Sequence, residues 1–535
     1  MASRFDEDGM QDGSARLRKA LSAIVGLIGA AAAIYALTAL EAGRNGLQFD
    51  DRLIDGTPVR IIMPADADGP APTVVIAHGF AGVMELMEPF AVSLARAGYV
   101  TLSFDFVGHG SHPTPLPTAI SGPGGAAAKL IAQLNDMVGL ARSFPGANGQ
   151  VALLGHSMAT DLIAKAAADG LKVDATIAVS LFSPDVTASS PGNMLIIVGG
   201  LEDGLTDEAL RVTALTAGGP VEEGVTYGSF DDGTARRTVF ADGVEHLGVL
   251  FDPESLDAAR DWLDRAFARS SPEGWQADVR GPMIGLLFGG LLAFGWGLAG
   301  LTIAHPTPIP AQGAGVRPAV LLTLVAGPML VTPVLATLTP TGLLPLILGD
   351  YLGIHFFIYG AATGIGLLIA GRLGRAVLPA HPPSIATILS GLAAGVFVIA
   401  AFAITLDRYA YTFVPDTARL MLAPALFAAL LPWFLADEWL TRGVPDGAEG
   451  RGRRLWVYAL TKICFVVSLG LAVALDTERL FFLLIVAPVI LAFFIVYGLI
   501  SQRLVAVTGS PVPAAIALSA ALAWSIAATF PRIIG

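Results

Sequence analysis

The sequence predicts two kinds of architecture in one chain: an α/β domain with a mostly parallel sheet, followed by an all-α domain of about eight transmembrane helices. The first observation is the distribution of charge, because residues 281–535 hold only 22 of the 76 Asp, Glu, Lys and Arg residues. The second is that long apolar runs recur throughout that half of the chain. The third is that the first half alternates short β-type runs with helical periodicity, which is typical of a parallel sheet with helices on both faces.

The N-terminal residues are predicted as a cytoplasmic tail, residues 1–19, and a transmembrane anchor helix, residues 20–41. Residues 20–40 carry no charge and are about as long as a bilayer-spanning helix needs to be. A cleaved signal peptide would have a shorter apolar core and a small-residue cleavage site. The sequence before Glu41 has neither feature, so we expect the anchor to be retained.

The predicted α/β domain comprises residues 45–275. Its strand candidates are short apolar runs, and the stretches between them have the apolar spacing of helices. An amphipathic helix, LDAARDWLDRAFAR, closes the domain. The seven strand candidates are residues 59–65, 73–79, 99–106, 150–155, 175–183, 193–199 and 236–242.

The predicted transmembrane domain comprises residues 281–535 and contains eight apolar runs, which with the anchor make nine spans. A further apolar stretch at residues 339–350 is broken by Pro and Gly, and it leaves the count open by one. The eight runs are residues 281–304, 317–338, 350–371, 383–405, 417–436, 455–475, 480–500 and 511–530.

The Lys and Arg residues near the spans predict an orientation. With the N-terminus in the cytoplasm, the cytoplasmic segments hold twelve Lys and Arg residues and the short segments on the other side hold five. Because Lys and Arg are enriched on the cytoplasmic side of membrane proteins, this count places residues 45–280 outside the cytoplasm. We therefore expect a multi-pass protein of the plasma (inner) membrane with an extracytoplasmic α/β domain, which is periplasmic in a two-membrane bacterium.

Composition narrows the range of partners. The formal net charge of −12 argues against nucleic acid, because phosphate binding needs a basic surface. The single cysteine, Cys464, excludes an intramolecular disulfide and a cysteine-based zinc site. We expect no cofactor and no metal, and the oligomeric state stays open.

The stretch VALLGHSMAT, residues 151–160, places Ser157 between an apolar strand and the start of a helix. Its G-H-S-M-A segment is one residue short of the G-x-S-x-G pattern, in which a sharp strand-to-helix turn exposes a nucleophilic serine above the sheet. The turn needs small neighbours, which Gly155 and Ala159 provide. We therefore predict that Ser157 is a nucleophile.

A serine hydroxyl needs a general base, and the base needs an acid that holds its tautomer. His246 follows the last predicted strand and Asp203 follows the strand before it, so both are expected at the same sheet edge as Ser157. The chain order of serine, acid and histidine is that of α/β hydrolases. Glu202, next to Asp203, and Asp185, after an earlier strand, remain alternative acids.

Two backbone N–H groups are predicted to bind the oxyanion of an acyl-transfer intermediate. One belongs to Met158, the residue after the predicted nucleophile, and the other to Phe80, in the loop after an earlier strand. The complete predicted site therefore consists of Ser157, Asp203 and His246 as catalytic residues, with Phe80 and Met158 as the oxyanion hole.

Several motifs together resemble α/β hydrolases of the serine aminopeptidase and monoacylglycerol lipase type. That group shows an H-G oxyanion segment, then D-x-x-G-H-G-x-S, then G-H-S-M-G-G. Here residues 78–79 read H-G, residues 105–111 read D-F-V-G-H-G-S, and residues 155–160 read G-H-S-M-A-T. A G-x-x-D segment before the predicted acid also matches, at residues 200–203. The resemblance covers about residues 50–270, departs from the group at Ala159 and Thr160, and implies an α/β-hydrolase fold.

The resemblance also carries an expectation about the substrate. In lipase-like relatives a lid of several dozen residues commonly follows the strand at 175–183, but here only residues 184–192 lead to the next strand. A domain without a large lid at a bilayer surface favours a lipid or another apolar acyl substrate, or a lid supplied by residues 281–535. We therefore expect a membrane-embedded serine hydrolase that is esterase-like or lipase-like.

Two alternatives stay open at this point. The same resemblance covers peptidases, so that amide cleavage is the nearest enzymatic alternative. The alternative from another class is a transporter or receptor-like membrane protein whose hydrolase-fold domain is catalytically degenerate and only binds a ligand. The non-glycine residues Ala159 and Thr160 leave that alternative open.

Overall fold

The computed structural model describes residues 2–67, 69–119, 122, 124–303, 314–379, 381–442 and 448–534. Residue 1 of the predicted tail, residues 68, 120, 121 and 123 of the predicted α/β domain, and residues 304–313, 380, 443–447 and 535 of the predicted transmembrane domain lie outside this description. Within the described residues, one mixed sheet with its helices forms an α/β domain, and the helices from residue 281 onward form a second unit, which we term the helical domain.

The α/β domain is built on an eight-stranded sheet. Its strands are β1 (Leu47–Ile54), β2 (Thr57–Pro64), β3 (Ala71–Ala77), β4 (Val100–Phe104), β5 (Ala147–His156), β6 (Ala175–Val179), β7 (Met194–Gly199) and β8 (Arg236–Ala241). Their order across the sheet is β1-β2-β4-β3-β5-β6-β7-β8. The pairs β1/β2 and β2/β4 are antiparallel and all the others are parallel, which confirms the predicted fold class.

One helix precedes the sheet, five cover it, and the rest belong to the helical domain. In chain order they are α1 (Ala2–Ala42), α2 (Glu88–Arg96), α3 (Ala126–Ser143), α4 (Met158–Ala168), α5 (Asp203–Ala217), α6 (Pro253–Ala266), α7 (Gly281–Thr302), α8 (Pro318–Leu338), α9 (Gly349–Arg372), α10 (Ile385–Leu406), α11 (Thr417–Leu420), α12 (Ala423–Arg442), α13 (Ala448–Leu475), α14 (Thr477–Leu480), α15 (Leu483–Thr508) and α16 (Val512–Thr529). Short 3₁₀ helices lie at Met84–Met87 and Gly248–Leu250.

Apolar side chains cover both faces of the sheet, as expected for strands that are buried on two sides. Phe90 of α2 and Trp262 of α6 pack in a cluster on one face. Leu134 of α3 and Ile163 of α4 pack in a cluster on the other face. In an open α/β sheet, the loops at the carboxyl ends of the parallel strands can carry a functional site.

The structure adds one strand, β1, that the sequence did not predict. Its sequence, LQFDDRLI, contains three adjacent charged residues and lacks a sustained alternation of apolar and polar positions. β1 pairs only with β2 and forms the edge of the sheet. Charged side chains are common on edge strands, where they oppose pairing with another molecule, and they hide the strand pattern in the sequence.

Nine helices of the described residues are long and apolar enough to cross a membrane. They correspond to the nine predicted apolar runs, with the anchor counted from Ala15 to Ala42 in α1. The stretch after α8, which left the count open, is a loop that leads into α9. Asp350, at the start of α9, binds this loop: its carboxylate accepts the N–H groups of Gly342 and Leu344 at 2.7 and 3.0 Å. These helices are candidate spans of a multi-pass membrane protein.

Small residues set the packing of the helical domain. α1 lies against α7, where a Cβ on Gly29 would be 2.6 Å from Gly290 O and one on Gly297 would be 2.5 Å from Ser22 O. The alanine-rich α16 packs against α10, α12 and α15 and is buried along nearly its whole length. Small side chains let apolar helices approach closely, which favours helix association inside a bilayer.

Two pairs of oppositely charged side chains lie within the candidate spans. Lys462 donates to the carboxylate of Asp437. Arg442 Nε lies 3.1 Å from Glu438 Oε2, and Arg442 Nη2 lies 2.6 Å from Ser501 Oγ. Because an unpaired charge in an apolar environment is costly, these contacts explain how the spans tolerate charged residues.

The two domains meet at the loop that follows β4. Leu116 N donates to Arg532 O at 2.8 Å, and Arg532 N donates to Gly108 O at 2.8 Å. Arg419 of α11 also donates to Gly108 O, at 2.9 Å. The helical domain therefore contacts the α/β domain at the edge where the parallel strands end.

The buried carboxylate of Glu88 binds an arginine at each of the two points where the chain passes between the α/β domain and the apolar helices. Glu88 of α2 binds Arg44, which follows α1, at 2.6 Å, and Arg280, which precedes α7, at 3.0 Å. It also binds Arg60 of β2 at 2.8 Å. Since Glu88 is almost fully buried, this cluster ties α1, α7 and the sheet together.

Candidate active site

Ser157 stands at the turn between β5 and α4. Its φ of 51° and ψ of −117° are backbone angles that non-glycine residues rarely adopt. Ser157 N donates to Val179 O at 2.9 Å, which holds the turn against β6. A Cβ on Gly155 would lie 2.5 Å from Ile163 Cδ1, so a larger residue there would require the Ile163 side chain or α4 to shift. The serine side chain is thereby presented at the carboxyl edge of the sheet.

His246, on the loop after β8, bridges Ser157 and a carboxylate. Its Nε2 lies 2.9 Å from Ser157 Oγ, and its Nδ1 lies 2.5 Å from Glu202 Oε1. When Nδ1 carries the proton and donates to the carboxylate, Nε2 is left to accept the serine proton. The His246 side chain is 21% exposed and the Glu202 side chain 6%, so the base faces the solvent and the acid is shielded.

The carboxylate at His246 belongs to Glu202, whereas the sequence analysis favoured Asp203. Glu202 Oε2 accepts the Ser180 hydroxyl and the Gly199 N–H, both at 2.8 Å, which directs the carboxylate toward the site. Asp203 is the first residue of α5, and its side chain is exposed. The alternative acid Asp185 is also exposed, in the loop after β6. The structure brings Glu202 to His246 in place of Asp203.

The two predicted oxyanion donors flank Ser157. Met158 is the first residue of α4, and the first N–H groups of a helix have no partner within the helix. The turn that carries Phe80 passes beside the nucleophile, because a Cβ on Gly79 would lie only 3.1 Å from Ser157 Cβ. The N–H groups of Phe80 and Met158 are therefore the candidate oxyanion hole.

The two residues that depart from the G-H-S-M-G-G motif are accommodated by packing. Ala159 is fully buried against the apolar cluster of α3 and α4. Thr160 Oγ1 donates to Ser157 O at 2.7 Å and accepts the N–H of Phe182 at 3.3 Å. Both side chains thus fit the turn, and Thr160 links it to the loop after β6.

His156 supports the loop that carries His246, which the sequence did not indicate. Its Nε2 lies 3.0 Å from His246 O. Burial, with a smaller contribution from the neighbouring His246, lowers the pKa of His156 to about 3, so its ring is neutral. A neutral ring that donates through Nε2 fixes the backbone of the residue that acts as base.

The segment after β4 supports the turn around Phe80. His78 Nε2 accepts the N–H of Phe106 at 3.0 Å, and the Asp105 carboxylate accepts the N–H of Met84 at 2.9 Å. Burial lowers the pKa of His78 and raises the pKa of Asp105 to about 6. These groups hold backbone in place. In the part of the chain that the structure describes, no group of three or more His, Cys, Asp and Glu side chains forms a candidate metal site.

In the described residues, the connection between β6 and β7 forms no lid over the site. Residues 180–193 contain no helix or strand; the predicted connection was shorter, residues 184–192, because β6 ends at Val179 and not at residue 183. Phe182 in this loop and Leu201 after β7 are large apolar side chains that are 68% and 63% exposed. The Phe182 N–H donates to Thr160 Oγ1, and Leu201 precedes Glu202 in the chain, so both exposed side chains belong to loops that contact or carry the triad residues.

The comparison with protein families identifies one match. Residues 68–195 are similar to the family described as serine aminopeptidase, S33. This stretch includes the Phe80 turn and Ser157 and ends before Glu202 and His246. No curated protein matches the chain.

Several solved structures are similar to part of this chain. A soluble variant of monoglyceride lipase from Saccharomyces cerevisiae is 13% identical, with 41% of this chain and 95% of that chain covered and a TM-score of 0.29. A dienelactone hydrolase from Anabaena variabilis is 18% identical, with 43% and 100% covered and a TM-score of 0.30. A bacterial heroin esterase is 16% identical, with 41% and 85% covered and a TM-score of 0.29.

Proposed function

We propose that this chain, which carries an α/β-hydrolase domain, is a membrane-embedded serine hydrolase that cleaves apolar acyl esters. The observation that carries the proposal is the bridge that the His246 ring makes between Ser157 Oγ and the Glu202 carboxylate. A nucleophile bonded to a base, with the base oriented by an acid, is the arrangement that activates a serine hydroxyl.

The reaction follows from these contacts. Ser157 Oγ attacks the ester carbonyl carbon while His246 Nε2 takes the hydroxyl proton, and the N–H groups of Phe80 and Met158 bind the oxyanion that forms. His246 then returns the proton to the leaving alkoxide, and water releases the acyl group by the same route. Glu202 stabilises the imidazolium, and the Ser180 hydroxyl and the Gly199 N–H also donate to its carboxylate and hold it in place.

The surroundings of the triad favour an apolar acyl group. Phe182 and Leu201 expose large apolar side chains at this edge of the sheet, and the Phe80 ring lies against the helical domain. Burial of apolar surface contributes about 25 cal/mol per Å² to binding, so these side chains favour an acyl chain over a charged peptide. Peptide cleavage by the same triad is an outcome that the substrate series below can reveal.

Activity-based labelling tests the nucleophile. We expect a fluorophosphonate probe to label the wild-type protein in membranes and to leave Ser157→Ala unlabelled. We also expect p-nitrophenyl esters with chains of 4 to about 12 carbons to be hydrolysed, and aminoacyl p-nitroanilides to be poor substrates. Absence of labelling in both proteins would reject the hydrolase and favour a ligand-binding domain, and preference for anilides would assign a peptidase.

We further propose that the α/β domain lies outside the cytoplasm. The segments of the helical domain that contact it, among them the loop with Arg419 and the final residues with Arg532, are those with few Lys and Arg residues. Lys and Arg concentrate on the cytoplasmic side of membrane proteins. The segments with few Lys and Arg residues therefore lie on the same side as the α/β domain, which supports an extracytoplasmic position for that domain.

Cysteine labelling can test this orientation. In a Cys464→Ser background, Ser189→Cys lies in an exposed loop of the α/β domain and Val377→Cys lies in the loop between α9 and α10, where Val377 is 59% exposed. We expect a membrane-impermeant maleimide to label Ser189→Cys in intact spheroplasts and Val377→Cys only after lysis. The opposite pattern would invert the proposed orientation.

A further inference from the structure

The turn that carries the Phe80 oxyanion donor is held in an unfavourable backbone conformation. Ala81, the next residue, has a φ of 52°, in the left-handed region that favours glycine. Within the turn, Gly82 N donates to Gly79 O at 3.0 Å. A conformation of this kind persists only where the surrounding structure holds it in place. Contacts from outside the turn therefore bear on where the Phe80 N–H points.

Two side chains of the helical domain make such contacts. The Phe482 ring, between α14 and α15, stacks on the Phe80 ring, with the centroids 4.2 Å apart and the planes 18° apart. The Tyr411 hydroxyl, in the loop between α10 and α11, donates to the carbonyl of Ala81 and lies 3.1 Å from Thr529 O. The helical domain thus contacts the two consecutive residues on which the oxyanion donor depends.

A third contact joins the helical domain to the segment that follows the Phe80 turn. Thr412 Oγ1 donates to Glu85 Oε2 at 2.9 Å, in the 3₁₀ helix that follows the turn. Met84, next to Glu85, donates its N–H to the carboxylate of Asp105, which belongs to the α/β domain. The chain from Phe80 to Glu85 is therefore bound on one side by the sheet and on the other by the loop that carries Tyr411.

We propose that Tyr411 and Phe482 are positioning residues of the hydrolase, through which the helical domain holds the Phe80 N–H in its catalytic position. The inference rests on the proposed serine hydrolase activity and assigns the helical domain a part in it. Oxyanion stabilisation depends on donors that are fixed before the reaction, and a displacement of about 1 Å can cost about a hundredfold in rate. Loss of either contact is therefore expected to slow the chemical step more than it weakens substrate binding.

The test uses the full-length protein in detergent with p-nitrophenyl butyrate as substrate. Tyr411→Phe removes the hydroxyl bonded to Ala81 and leaves the ring, and we expect kcat to fall by about tenfold to a hundredfold with KM changed by less than about twofold. We expect phenylboronic acid, which forms a tetrahedral adduct with the serine, to lose affinity in parallel. The matched control is Tyr409→Phe, which removes a hydroxyl bond of the same loop to Glu41 (2.5 Å) in α1 and is expected to keep the wild-type kcat.

A second pair of variants tests the ring contact. We expect Phe482→Ala to lower kcat in the same way and Phe482→Tyr, which keeps an aromatic ring over Phe80, to restore it. The control is Phe481→Ala, because the neighbouring Phe481 is 51% exposed and Phe482, not Phe481, stacks on Phe80. A contact with a merely structural role would lower the thermal midpoint without this rescue of kcat and without the change in boronate affinity.

The outcomes separate this inference from the proposed function. If Tyr411→Phe and Phe482→Ala keep the wild-type kcat while fluorophosphonate labels wild type and not Ser157→Ala, the hydrolase stands and the positioning role is overturned. If Phe482→Ala unfolds, Tyr411→Phe alone decides. If the wild type neither labels nor turns over ester, the proposed function fails and the inference fails with it.

Discussion

At the residue scale, three donors converge on the Glu202 carboxylate. The His246 ring binds one oxygen, and the Ser180 hydroxyl and the Gly199 N–H bind the other. Three donors on one carboxylate hold it in one orientation. It can therefore fix the tautomer of the His246 ring that the mechanism requires.

We expect Glu202→Gln to lower kcat for p-nitrophenyl butyrate by about 10⁴-fold, because an amide that donates to Nδ1 favours the wrong tautomer. Asp203→Asn is the matched control, since the Asp203 side chain is exposed on α5, and its kcat should stay close to that of wild type. A large loss in Asp203→Asn with little loss in Glu202→Gln would return the acid to Asp203.

The candidate nucleophile and base were predictable from the sequence, whereas the acid was not. Ser157 and His246 are singled out by a turn pattern and by their positions after predicted strands, and the structure places them 2.9 Å apart. Glu202 and Asp203 are adjacent, and both follow β7. Which of them faces His246 depends on where α5 begins, and helix boundaries are not fixed by local sequence to one residue.

At the element scale, Thr160 joins the turn between β5 and α4 to the loop after β6. Its hydroxyl binds Ser157 O and the Phe182 N–H, and the residue itself is almost fully buried. A glycine at this position, as in the motif of the related hydrolases, would lack both bonds. Thr160 therefore connects two elements of the site.

We expect Thr160→Val to destabilise the protein by about 1–3 kcal/mol, because the methyl group keeps the volume but leaves the Phe182 N–H without its partner. Thr160→Ser retains the hydroxyl and is expected to cost less. Thermal unfolding of the detergent-solubilised variants measures the difference. Equal midpoints for Thr160→Val and the wild type would show that the two bonds contribute nothing.

Elements with a clear apolar pattern were predicted, and those without one were missed or left open. The seven predicted strands and nine apolar runs all appear, because burial on two faces or in a bilayer demands continuous apolar sequence. β1 was missed because an edge strand pairs on one side only and carries charges. The sequence did not decide whether residues 339–350 form another membrane span. They are apolar because they pack in the structure, but they do so mostly as a loop between α8 and α9.

At the scale of the whole molecule, Glu88 holds the two chain connections of the α/β domain. We expect Glu88→Ala to destabilise the protein by about 3–5 kcal/mol, because it removes the buried carboxylate that three arginines share. Asp51→Ala is the matched control: Asp51 also binds Arg60, at 2.7 Å, but its side chain is 57% exposed. An exposed pair contributes about 0–1 kcal/mol. Thermal midpoints of the two variants give the comparison, and similar values would contradict the proposed role of Glu88.

The interface between the domains also carries a pH dependence. Burial, with the neighbouring Asp105 carboxyl, raises the pKa of Glu85 from its ordinary value of 4.5 to about 8. The folded protein thus keeps a proton that the unfolded chain loses, so that stability falls as the pH rises toward 8. Burial also raises the pKa of Asp105, to about 6, so this carboxyl lowers the stability with rising pH only up to about pH 6. Buried histidines act in the opposite sense below their ordinary pKa of 6.5, where acid destabilises the fold; they are His78, His109, His112 and His156.

Between pH 6.5 and pH 8, the titration of Glu85 is therefore expected to dominate the change in stability with pH. We expect the thermal midpoint of the wild type to fall across this window and that of Glu85→Gln to stay level, because the amide does not titrate. Thr412→Val, which removes the hydroxyl that donates to Glu85, keeps the carboxyl and should keep the slope. A slope that persists in Glu85→Gln would assign the titration to another group.

The sequence was sufficient to predict the α/β domain with its mostly parallel sheet, the nine apolar helices, the short connection between β6 and β7, and Ser157 and His246 as candidates. Each of these follows from local patterns, because strand burial, span length and the turn at Ser157 impose their requirements on neighbouring residues. The three-dimensional contacts were needed to show that Glu202 faces His246, that Lys462 pairs with Asp437, and that Tyr411 and Phe482 reach the turn at Phe80. These contacts join residues that are up to about 400 positions apart in the chain or differ by the start of one helix, and nothing in the local sequence records them.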